Sequence, residues 1–326
     1  MHLPTLDDIR AAAARVSPAV FRTPLVRLAL DREVYAKAEN LQRTGSFKLR
    51  GAYNFLASLP EDARALGVTT HSSGNHAQGV ACAAHLLGVK ATIVIPEGAP
   101  ELKVERTRAW GAEIVRCENV SGAREETAEQ LVREHGYTLV PPYDHPWIIA
   151  GQGTAGLEIV ADLPDVANIL VPVGGGGLIA GVASAVKALR PAAQVIGVEP
   201  ELAADAQASF KAGKVQRWET EQTSRTIADG VRTQSVGNLN FAVIRSCVTG
   251  IMTVSDEEIL KAARWYLQHG RLVSEPTGAI TLAGYLRLLG GEANHHALNP
   301  GRTAILLSGG NIDPQLAGGL LSDTSG

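Results

Sequence analysis

Hydrophobic and polar positions along this chain form two alternating patterns. Short apolar runs such as Ala91–Ile95 indicate buried strands, and segments in which apolar residues recur every three or four positions, such as Ala123–Glu134, indicate helices. Because the two kinds of segment alternate, the pattern predicts βαβ units and parallel sheets. The predicted strands are Val26–Leu28, Val34–Ala38, Val68–Thr70, Ala91–Ile95, Glu113–Arg116, Tyr137–Val140, Ile169–Val173, Val195–Val198 and Ala304–Leu307, and the predicted helices lie before Ser17, after Lys48 and over Ala77–Leu87, Glu101–Trp110, Ala123–Glu134, Leu178–Leu189, Glu257–Gln268 and Thr277–Leu289.

The strands and helices fall into two successive series, and the second series begins at Ile169–Val173. The stretch Phe210–Ser235 is polar and aperiodic, which predicts a long loop. The expected fold class is therefore α/β, with two doubly wound open-sheet lobes. Such sheets bind ligands at the carboxyl ends of their strands, so we expect a site in the cleft between the lobes.

Composition and charge exclude several classes of protein. The 326 residues are 45% hydrophobic and carry a net charge of −3, which favours neither nucleic acid nor an anionic membrane as a partner. The three cysteines form no CxxC pair, a pattern typical of a reduced compartment without disulfides or zinc. The uncharged stretch Val166–Val186 is interrupted by Pro172 and four glycines, and the N-terminus lacks the apolar region of a signal peptide. These features predict a soluble cytoplasmic protein.

Lys48 is the first candidate catalytic residue. Phe47 and Leu49 flank it, and Ala52 and Phe55 continue an apolar helical face. A lysine at the edge of such a face is partly desolvated, which lowers its pKa and favours the neutral amine that attacks carbonyl groups. An isolated lysine is more often a solvated surface charge, so a Schiff-base role requires a phosphate site and a partner for a pyridine ring elsewhere in the chain.

A run of four glycines, Gly174 to Gly177, follows a predicted strand and precedes a predicted helix. Successive residues without Cβ let backbone N–H groups converge on one anion at a helix N-terminus, and a phosphate suits that arrangement. A dinucleotide site is nearly as well supported by this motif alone. Gly175, Gly177 and Ala180 fit G-x-G-x-x-A, and Glu199 ends the next strand where a ribose-binding acid belongs.

Three further clusters follow predicted strands. The residues from Ser72 to His76 offer two hydroxyls, an amide and backbone N–H groups to a carboxylate, although the same residues also serve as plain helix caps. Ser308 begins a glycine turn that, in isolation, reads as an edge turn. Glu199 and Asp205 place two carboxylates close together, and with backbone carbonyls such a pair can hold a hard cation.

Taken together, these motifs resemble one enzyme family over essentially the whole chain and in the same order. The sequence is similar to the threonine/serine dehydratase and serine racemase family, which are pyridoxal-phosphate (PLP) enzymes of fold type II. The resemblance implies a large PLP-binding domain over 1–57 and 145–326, a small substrate-binding domain over 58–144, and the cofactor in the cleft between them. The matching motifs are Ser46–Gly51, Ser72–Gly79, Ala150–Thr154, Gly174–Gly177, Ser274–Ala279 and Leu307–Asn311.

The resemblance also implies a role for each matching residue. Lys48 would form the Schiff base with the cofactor, and Ser73 would be the acid/base on the opposite face of the substrate carbon. The other cofactor-binding residues would be Phe47, Asn75, Gly174, Gly175, Gly176, Gly177 and Ser308; the substrate-binding residues Ser72, Ser73, Asn75, His76 and Arg124, with Thr233 also near the substrate side chain; and the ligands of Mg²⁺ or Ca²⁺ Glu199, the carbonyl of Ala203 and Asp205.

The implied reaction is elimination from a β-hydroxy amino acid to give a 2-oxo acid and ammonia. L-Threonine or L-serine is expected before bulkier substrates such as phenylserine or 3-hydroxyaspartate. Serine racemase activity is the alternative within the family, because Ser73 is present. An NAD(P)-dependent oxidoreductase and a non-catalytic amino-acid-binding protein are the alternatives outside that activity. The resemblance further implies a homodimer.

Overall fold

A computed structural model of the chain describes residues 2–30, 32–120, 122–290 and 297–322, which form two β-sheets surrounded by helices. The six-stranded sheet has the order β1-β2-β10-β7-β8-β9, and the four-stranded sheet has the order β5-β4-β3-β6. All pairings are parallel except that of β1 with β2, so the predicted α/β class with open parallel sheets is confirmed. The strands are β1 (Leu25–Arg27), β2 (Val34–Ala38), β3 (Val68–His71), β4 (Ala91–Pro96), β5 (Glu113–Cys117), β6 (Thr138–Leu139), β7 (Asn168–Pro172), β8 (Gln194–Pro200), β9 (Gly250–Val254) and β10 (Thr303–Leu307).

The helices include several that the sequence pattern did not predict. The helix at Pro146–Asp162 has no polar face, because every residue from Ile148 to Gly156 is buried, so it shows no amphipathic periodicity. The stretch Phe210–Ser235, predicted to be one long loop, contains the end of one helix and a short second helix, so that prediction is partly wrong. The helices are α1 (Leu6–Val16), α2 (Lys48–Ser58), α3 (Glu61–Leu66), α4 (Asn75–Leu87), α5 (Glu101–Arg108), α6 (Ala123–His135), α7 (Pro146–Asp162), α8 (Gly177–Leu189), α9 (Asp205–Ala212), α10 (Thr220–Thr223), α11 (Asn238–Cys247), α12 (Asp256–Trp265, continued by a π-helical turn at Tyr266–Gly270), α13 (Pro276–Leu289) and α14 (Pro314–Ser322). None of the helices in this described part of the chain is long and apolar enough to cross a membrane.

Helix α2, which begins at Lys48, is held in place by close contacts with α7. A Cβ on Gly151 would lie 2.6 Å from the carbonyl oxygen of Arg50 and 2.7 Å from the Cα of Gly51, so the two backbones touch at this point. Helix α7 packs in the same way on α8, where a Cβ on Gly181 would lie 2.3 Å from the carbonyl oxygen of Ile149. The matching glycines of Ser46–Gly51 and Ala150–Thr154 are therefore packing residues that fix the start of α2.

The carboxyl ends of three central strands lead into the predicted motifs. Strand β7 leads to Gly174, β10 to Ser308, and β3 of the smaller sheet to Ser72. An isolated antiparallel bridge between Ser46 and Gly309, together with a hydrogen bond from the Phe47 N–H to the Ser308 carbonyl (3.1 Å), joins the start of α2 to the end of β10. This topology brings segments that are distant in sequence to one cleft between the two sheets.

Candidate cofactor and substrate site

A cavity of about 1020 Å³ lies in this cleft and is lined by residues from both sheets. All of the predicted cofactor- and substrate-binding residues line it. The predicted cation ligands Glu199, Ala203 and Asp205 are not among its lining residues. The lining positions predicted from the sequence are Phe47, Lys48, Ser72, Ser73, Asn75, His76, Arg124, Gly174, Gly175, Gly176, Gly177, Thr233 and Ser308.

Lys48 is the first residue of α2 and its amine faces the cavity. Its Nζ atom donates a hydrogen bond to the carbonyl oxygen of Pro142 at 3.0 Å and lies 5.3 Å from the centre of the Phe47 ring. Burial lowers the pKa of the Lys48 amine to about 8, because a charged ammonium is poorly solvated here. The lysine therefore provides a neutral nucleophile at mildly alkaline pH, as its apolar neighbours in the sequence predict.

The four-glycine loop presents free backbone donors to the cavity. Among the residues that the structure describes, none accepts a hydrogen bond from the backbone N–H groups of residues 174–177. The loop is held from behind, where Asn240 Nδ2 and the Gly237 N–H both donate to the Gly175 carbonyl (2.6 and 3.0 Å). Gly176 has φ +88°, a left-handed conformation that favours glycine, and the loop leads directly into the N-terminus of α8. These free donors at a helix N-terminus fit a phosphate group.

Tyr143 covers the glycine loop. A Cβ on Gly175 would lie 2.3 Å from the Tyr143 ring, so the ring packs directly on the backbone of the loop. Burial, then the charges of Asp144 and Asp205, raise the pKa of the Tyr143 hydroxyl, which therefore stays protonated. The sequence pattern does not indicate this contact, because it depends on the loop before α7.

The loop after β3 contributes small polar groups to the cavity wall. The Ser72 hydroxyl accepts a hydrogen bond from the Gly74 N–H at 3.3 Å. His76 is buried, and one ring nitrogen lies 3.2 Å from the carbonyl oxygen of Val140, so that nitrogen carries a proton and donates it. Burial, and then the charge of Lys48, lower the pKa of His76 to about 3, so its ring is neutral at physiological pH.

Arg124 and Ser308 both line the cavity, the first half exposed and the second buried. Arg124 is half exposed and pairs with the carboxylate of Glu125 at 3.0 Å. Ser308 is buried at the end of β10, and its hydroxyl lies 3.5 Å from the Thr277 carbonyl, at the outer limit for a hydrogen bond. The Ser308 hydroxyl therefore remains available to a ligand atom in the cavity.

The structure adds a buried carboxyl group that the sequence interpretation left without a role. Glu275 lines the cavity, and its Oε1 atom accepts a hydrogen bond from Asn75 Nδ2 at 2.6 Å. Burial, and then the charge of Asp229, raise the pKa of the Glu275 carboxyl to about 7. In the sequence Glu275 lies in the matching motif Ser274–Ala279, directly before Pro276, where it resembles an ordinary helix cap.

The two predicted acidic cation ligands are both buried. Glu199 accepts hydrogen bonds from the N–H groups of Ala206 and Gln207 (3.1 and 2.7 Å), whereas both carboxylate oxygens of Asp205 lack a partner among the described residues. Burial raises the pKa of both carboxyl groups, that of Asp205 to about 7, and the charge of Asp205 adds to the effect on Glu199. Within the described ranges, no group of three or more His, Cys, Asp or Glu side chains could hold a metal ion, so a cation here would also need backbone oxygen ligands.

Comparison with known proteins gives consistent matches along nearly the whole chain. A family model described as pyridoxal-phosphate dependent enzyme matches residues 16–309. The chain is 42% identical over 327 residues to the L-threo-3-hydroxyaspartate ammonia-lyase of Saccharomyces cerevisiae, covering 99% of this chain and 98% of that protein. It is 41% identical over 314 residues to a catabolic L-threonine dehydratase of Escherichia coli, covering 94% and 93% of the two chains. Among solved structures, that of maize serine racemase has a TM-score of 0.91 at 36% identity, and the match covers 98% of this chain and 97% of that one.

Proposed function

Because the chain belongs to the family of pyridoxal-phosphate dependent enzymes, we propose that it is an ammonia-lyase for β-hydroxy amino acids. The predicted family and its cofactor, PLP, are confirmed, and the NAD(P)-dependent alternative is set aside because the match covers the whole glycine motif and both sheets. The observation that carries the proposal is the pairing of two features in one cavity: the partly buried Lys48, whose amine has a lowered pKa, and the free N–H groups of residues 174–177. These groups suit the aldehyde and the phosphate of PLP.

Six of the residues that line the cavity have a proposed part in holding the cofactor. The N–H groups of Gly174 to Gly177 bind its phosphate, the amide of Asn75 donates to its ring oxygen, and the hydroxyl of Ser308 meets its pyridine nitrogen. When bound, PLP accepts the electron pair released at the substrate Cα. A neutral hydroxyl opposite the pyridine nitrogen does not require that nitrogen to be protonated, and this favours rapid loss of the β-hydroxyl group.

We propose that two residues lining the cavity, Lys48 and Ser73, transfer the proton at the substrate Cα. We assign its removal to the amine of Lys48, whose lowered pKa makes it a base near neutral pH. We assign the substrate carboxylate to the hydroxyls of Ser72 and Ser73 and the N–H group of Ser73, because the Ser72 N–H already donates to the Val94 carbonyl. We assign proton exchange on the other face to the Ser73 hydroxyl. The products of elimination are a 2-oxo acid and ammonia.

The preferred substrate and the racemase alternative are separated by product analysis. We propose L-threonine and L-serine as substrates before phenylserine or 3-hydroxyaspartate, and serine racemization as a second activity, which the similarity to maize serine racemase supports. The purified protein should be yellow and should release pyruvate and ammonia from L-serine faster than it forms D-serine. Dominant D-serine would reverse this order. A colourless protein that stays colourless after PLP is added would refute the proposal.

Lys48→Ala tests the assignment of the nucleophile. The variant should lose all turnover and should not be labelled by borohydride, while its far-UV circular dichroism stays that of the parent. Among the described residues, the one side-chain hydrogen bond that this change removes is the bond to the Pro142 carbonyl. Lys90→Ala is the matched control, because Lys90 is an exposed lysine that does not line the cavity. Retained activity in Lys48→Ala would refute the assignment.

We also propose that Glu199, the carbonyl of Ala203 and Asp205 bind Mg²⁺ or Ca²⁺. Within the described part of the chain, the buried carboxyl groups of Glu199 and Asp205 have no basic partner, and burying two such groups as carboxylates is costly. The oxygens of Asp205, which lack a hydrogen-bond partner there, are the donors that such a cation prefers. Bound cation would be detected as a rise in melting temperature when Mg²⁺ or Ca²⁺ is added after chelator treatment, and Asp205→Asn should remove that rise.

The domain division, the oligomeric state and the location remain proposals. The strands of the smaller sheet all fall within 58–144, which supports a small domain there and a large domain over 1–57 and 145–326. We propose a homodimer, because Phe21, Leu41 and Val273 expose large apolar side chains on one part of the surface. We propose a cytoplasmic location from the three cysteines, which are free in the structure. Light scattering on the purified protein tests the dimer.

A further inference from the structure

A chain of side-chain amides connects the Thr44 carbonyl to the cavity. Asn311 Nδ2 donates one hydrogen to the Thr44 carbonyl oxygen (2.9 Å) and the other to Asn75 Oδ1 (2.7 Å). Asn75 Nδ2 in turn donates to Glu275 Oε1 (2.6 Å). Each link is short enough to be a good hydrogen bond.

The direction of donation along this series of hydrogen bonds is determined by the Thr44 carbonyl. A backbone carbonyl can only accept, so the atom of Asn311 that faces Thr44 must be its nitrogen. The same nitrogen also donates to Asn75, so the Asn75 atom that accepts this bond must be its oxygen. The Asn75 nitrogen therefore points toward Glu275. An acceptor is required at that last position. The network of partners therefore determines the orientation of both amides.

We infer that Glu275 is a positioning residue that holds the Asn75 amide with its N–H toward the ring oxygen of the cofactor. The remaining hydrogen of Asn75 Nδ2 has no acceptor among the described residues, and Asn75 and Glu275 both line the cavity. This inference rests on the proposed function, because it takes the ligand of Asn75 to be PLP.

Two features show that the fold makes room for this carboxyl group at some cost. Glu275 is 5% exposed and has no ion pair in the described chain, although Lys103, Arg106 and Asp229 are close enough to influence it. A Cβ on Gly309 would lie 2.3 Å from Glu275 Oε1, so the turn after β10 must have glycine for the carboxyl to sit there. A buried acid without a basic partner is unfavourable for folding alone, which points to a role toward the ligand.

The test compares three variants of the full-length protein by titrating PLP into the apoenzyme and recording the spectrum of the bound cofactor. Glu275→Met removes the acceptor at similar length, and Asn311→Leu removes the donor that fixes Asn75. Each should weaken PLP binding by about tenfold, and should shift the visible absorption of the bound cofactor, because the buried amide loses its partner. The double variant should be little weaker than either single variant, because both break the same chain.

Glu275→Gln is the conservative variant, since its amide oxygen can still accept from Asn75. It should weaken PLP binding by no more than about threefold and leave the absorption maximum in place. Parental affinity and spectrum in both Glu275→Met and Asn311→Leu would overturn the inference, and so would a Glu275→Gln as weak as Glu275→Met. If Glu275→Met does not fold, the PLP affinity and spectrum of Asn311→Leu and of Glu275→Gln are compared instead. Weakened binding in Asn311→Leu with nearly parental binding in Glu275→Gln supports the inference, and parental binding in both overturns it. A parent protein that binds no PLP would instead refute the proposed function, whereas parental binding with insensitive variants refutes only the role of Glu275.

Discussion

Arg50 is the centre of a buried ion-pair cluster, and its removal is the perturbation for which the structure gives the clearest magnitude. The side chains of Arg50 and Glu39 are fully buried and lie 2.8 Å apart. Arg50 also contacts Glu158 and the Thr154 hydroxyl (2.8 and 3.0 Å). Arg50 lies two residues after Lys48 on α2, and its partners Thr154 and Glu158 lie on α7. The cluster therefore ties the part of α2 that begins at Lys48 to α7.

Arg50→Met should destabilise the fold by about 4 kcal/mol. The cluster of Arg50, Lys37, Glu39 and Glu158 is neutral, and removal of one arginine leaves one uncompensated buried carboxylate, which costs about 3–5 kcal/mol. A loss of this size is a large part of the total stability of a protein, which is about 5–15 kcal/mol.

The pH dependence of the loss gives a second check. Burial is the largest single influence on Glu39 and by itself would raise its pKa. The charge and hydrogen bonds of Arg50, together with the charge of Lys37 and the hydrogen bond from Thr23, outweigh burial, and the pKa of Glu39 is lowered. In the parent, Glu39 therefore adds stability above the ordinary carboxyl range, and that stability is lost as the pH falls through its lowered pKa. In Arg50→Met the effect of burial on Glu39 is opposed only by the charge of Lys37 and the hydrogen bond from Thr23. The difference in stability between variant and parent should therefore be greatest at neutral pH and smaller in acid.

The assay is urea unfolding followed by circular dichroism at several pH values. The control is Arg302→Met, which removes an arginine that also pairs with two acids, Glu33 and Asp165, but at an exposed site, and it should change the midpoint little. Arg50→Met combined with Glu39→Gln should be more stable than Arg50→Met alone. An Arg50→Met midpoint equal to that of Arg302→Met, or a double variant less stable than the single one, would refute the reasoning.

Three further predictions concern the cavity. Gly175→Ala should weaken PLP binding by at least tenfold, because its Cβ would collide with the Tyr143 ring. Adding Tyr143→Ala to this variant should restore part of the affinity, whereas equal affinity in Gly175→Ala and the parent would contradict the contact. The rate at which the apoenzyme turns yellow with PLP should rise with pH around a midpoint near 8, since only the neutral Lys48 amine attacks the aldehyde, and a rate independent of pH would contradict the lowered pKa. Activity should show no acidic limb from His76 between pH 5 and 8, a range that lies above its pKa of about 3, and His76→Asn should leave the pH profile unchanged in shape.

The sequence predicted the features that depend on local pattern. Buried strands such as β7 and β4 were recognised from apolar runs, and the glycine loop was recognised because residues without Cβ are needed where N–H groups converge. Lys48 was identified from its apolar neighbours, and the structure places it in a partly buried position with a lowered pKa, consistent with that argument.

The features that the sequence did not predict depend on contacts between distant segments. Helix α7 was missed because neighbours cover all its sides, so no polar stripe marks it. The role of Glu275 could not be found because its partner Asn75 lies 200 residues away along the chain. The contact of Tyr143 with Gly175 likewise follows from where the loop before α7 runs, and nothing in either local pattern specifies it.

The glycine contacts between α2, α7 and α8 limit where this enzyme can be altered to accept new substrates. At Gly151 and Gly181 even one added methyl group would collide with the backbone of the neighbouring helix, so a library of variants should leave those positions untouched. The polar segment 217–234 borders the same cavity, and most of its residues are exposed, although Thr226, Ala228 and Val231 are buried. Mutagenesis aimed at new specificity is therefore best directed to the exposed residues of that segment. The residues at the contacts between α2, α7 and α8 should be left unchanged.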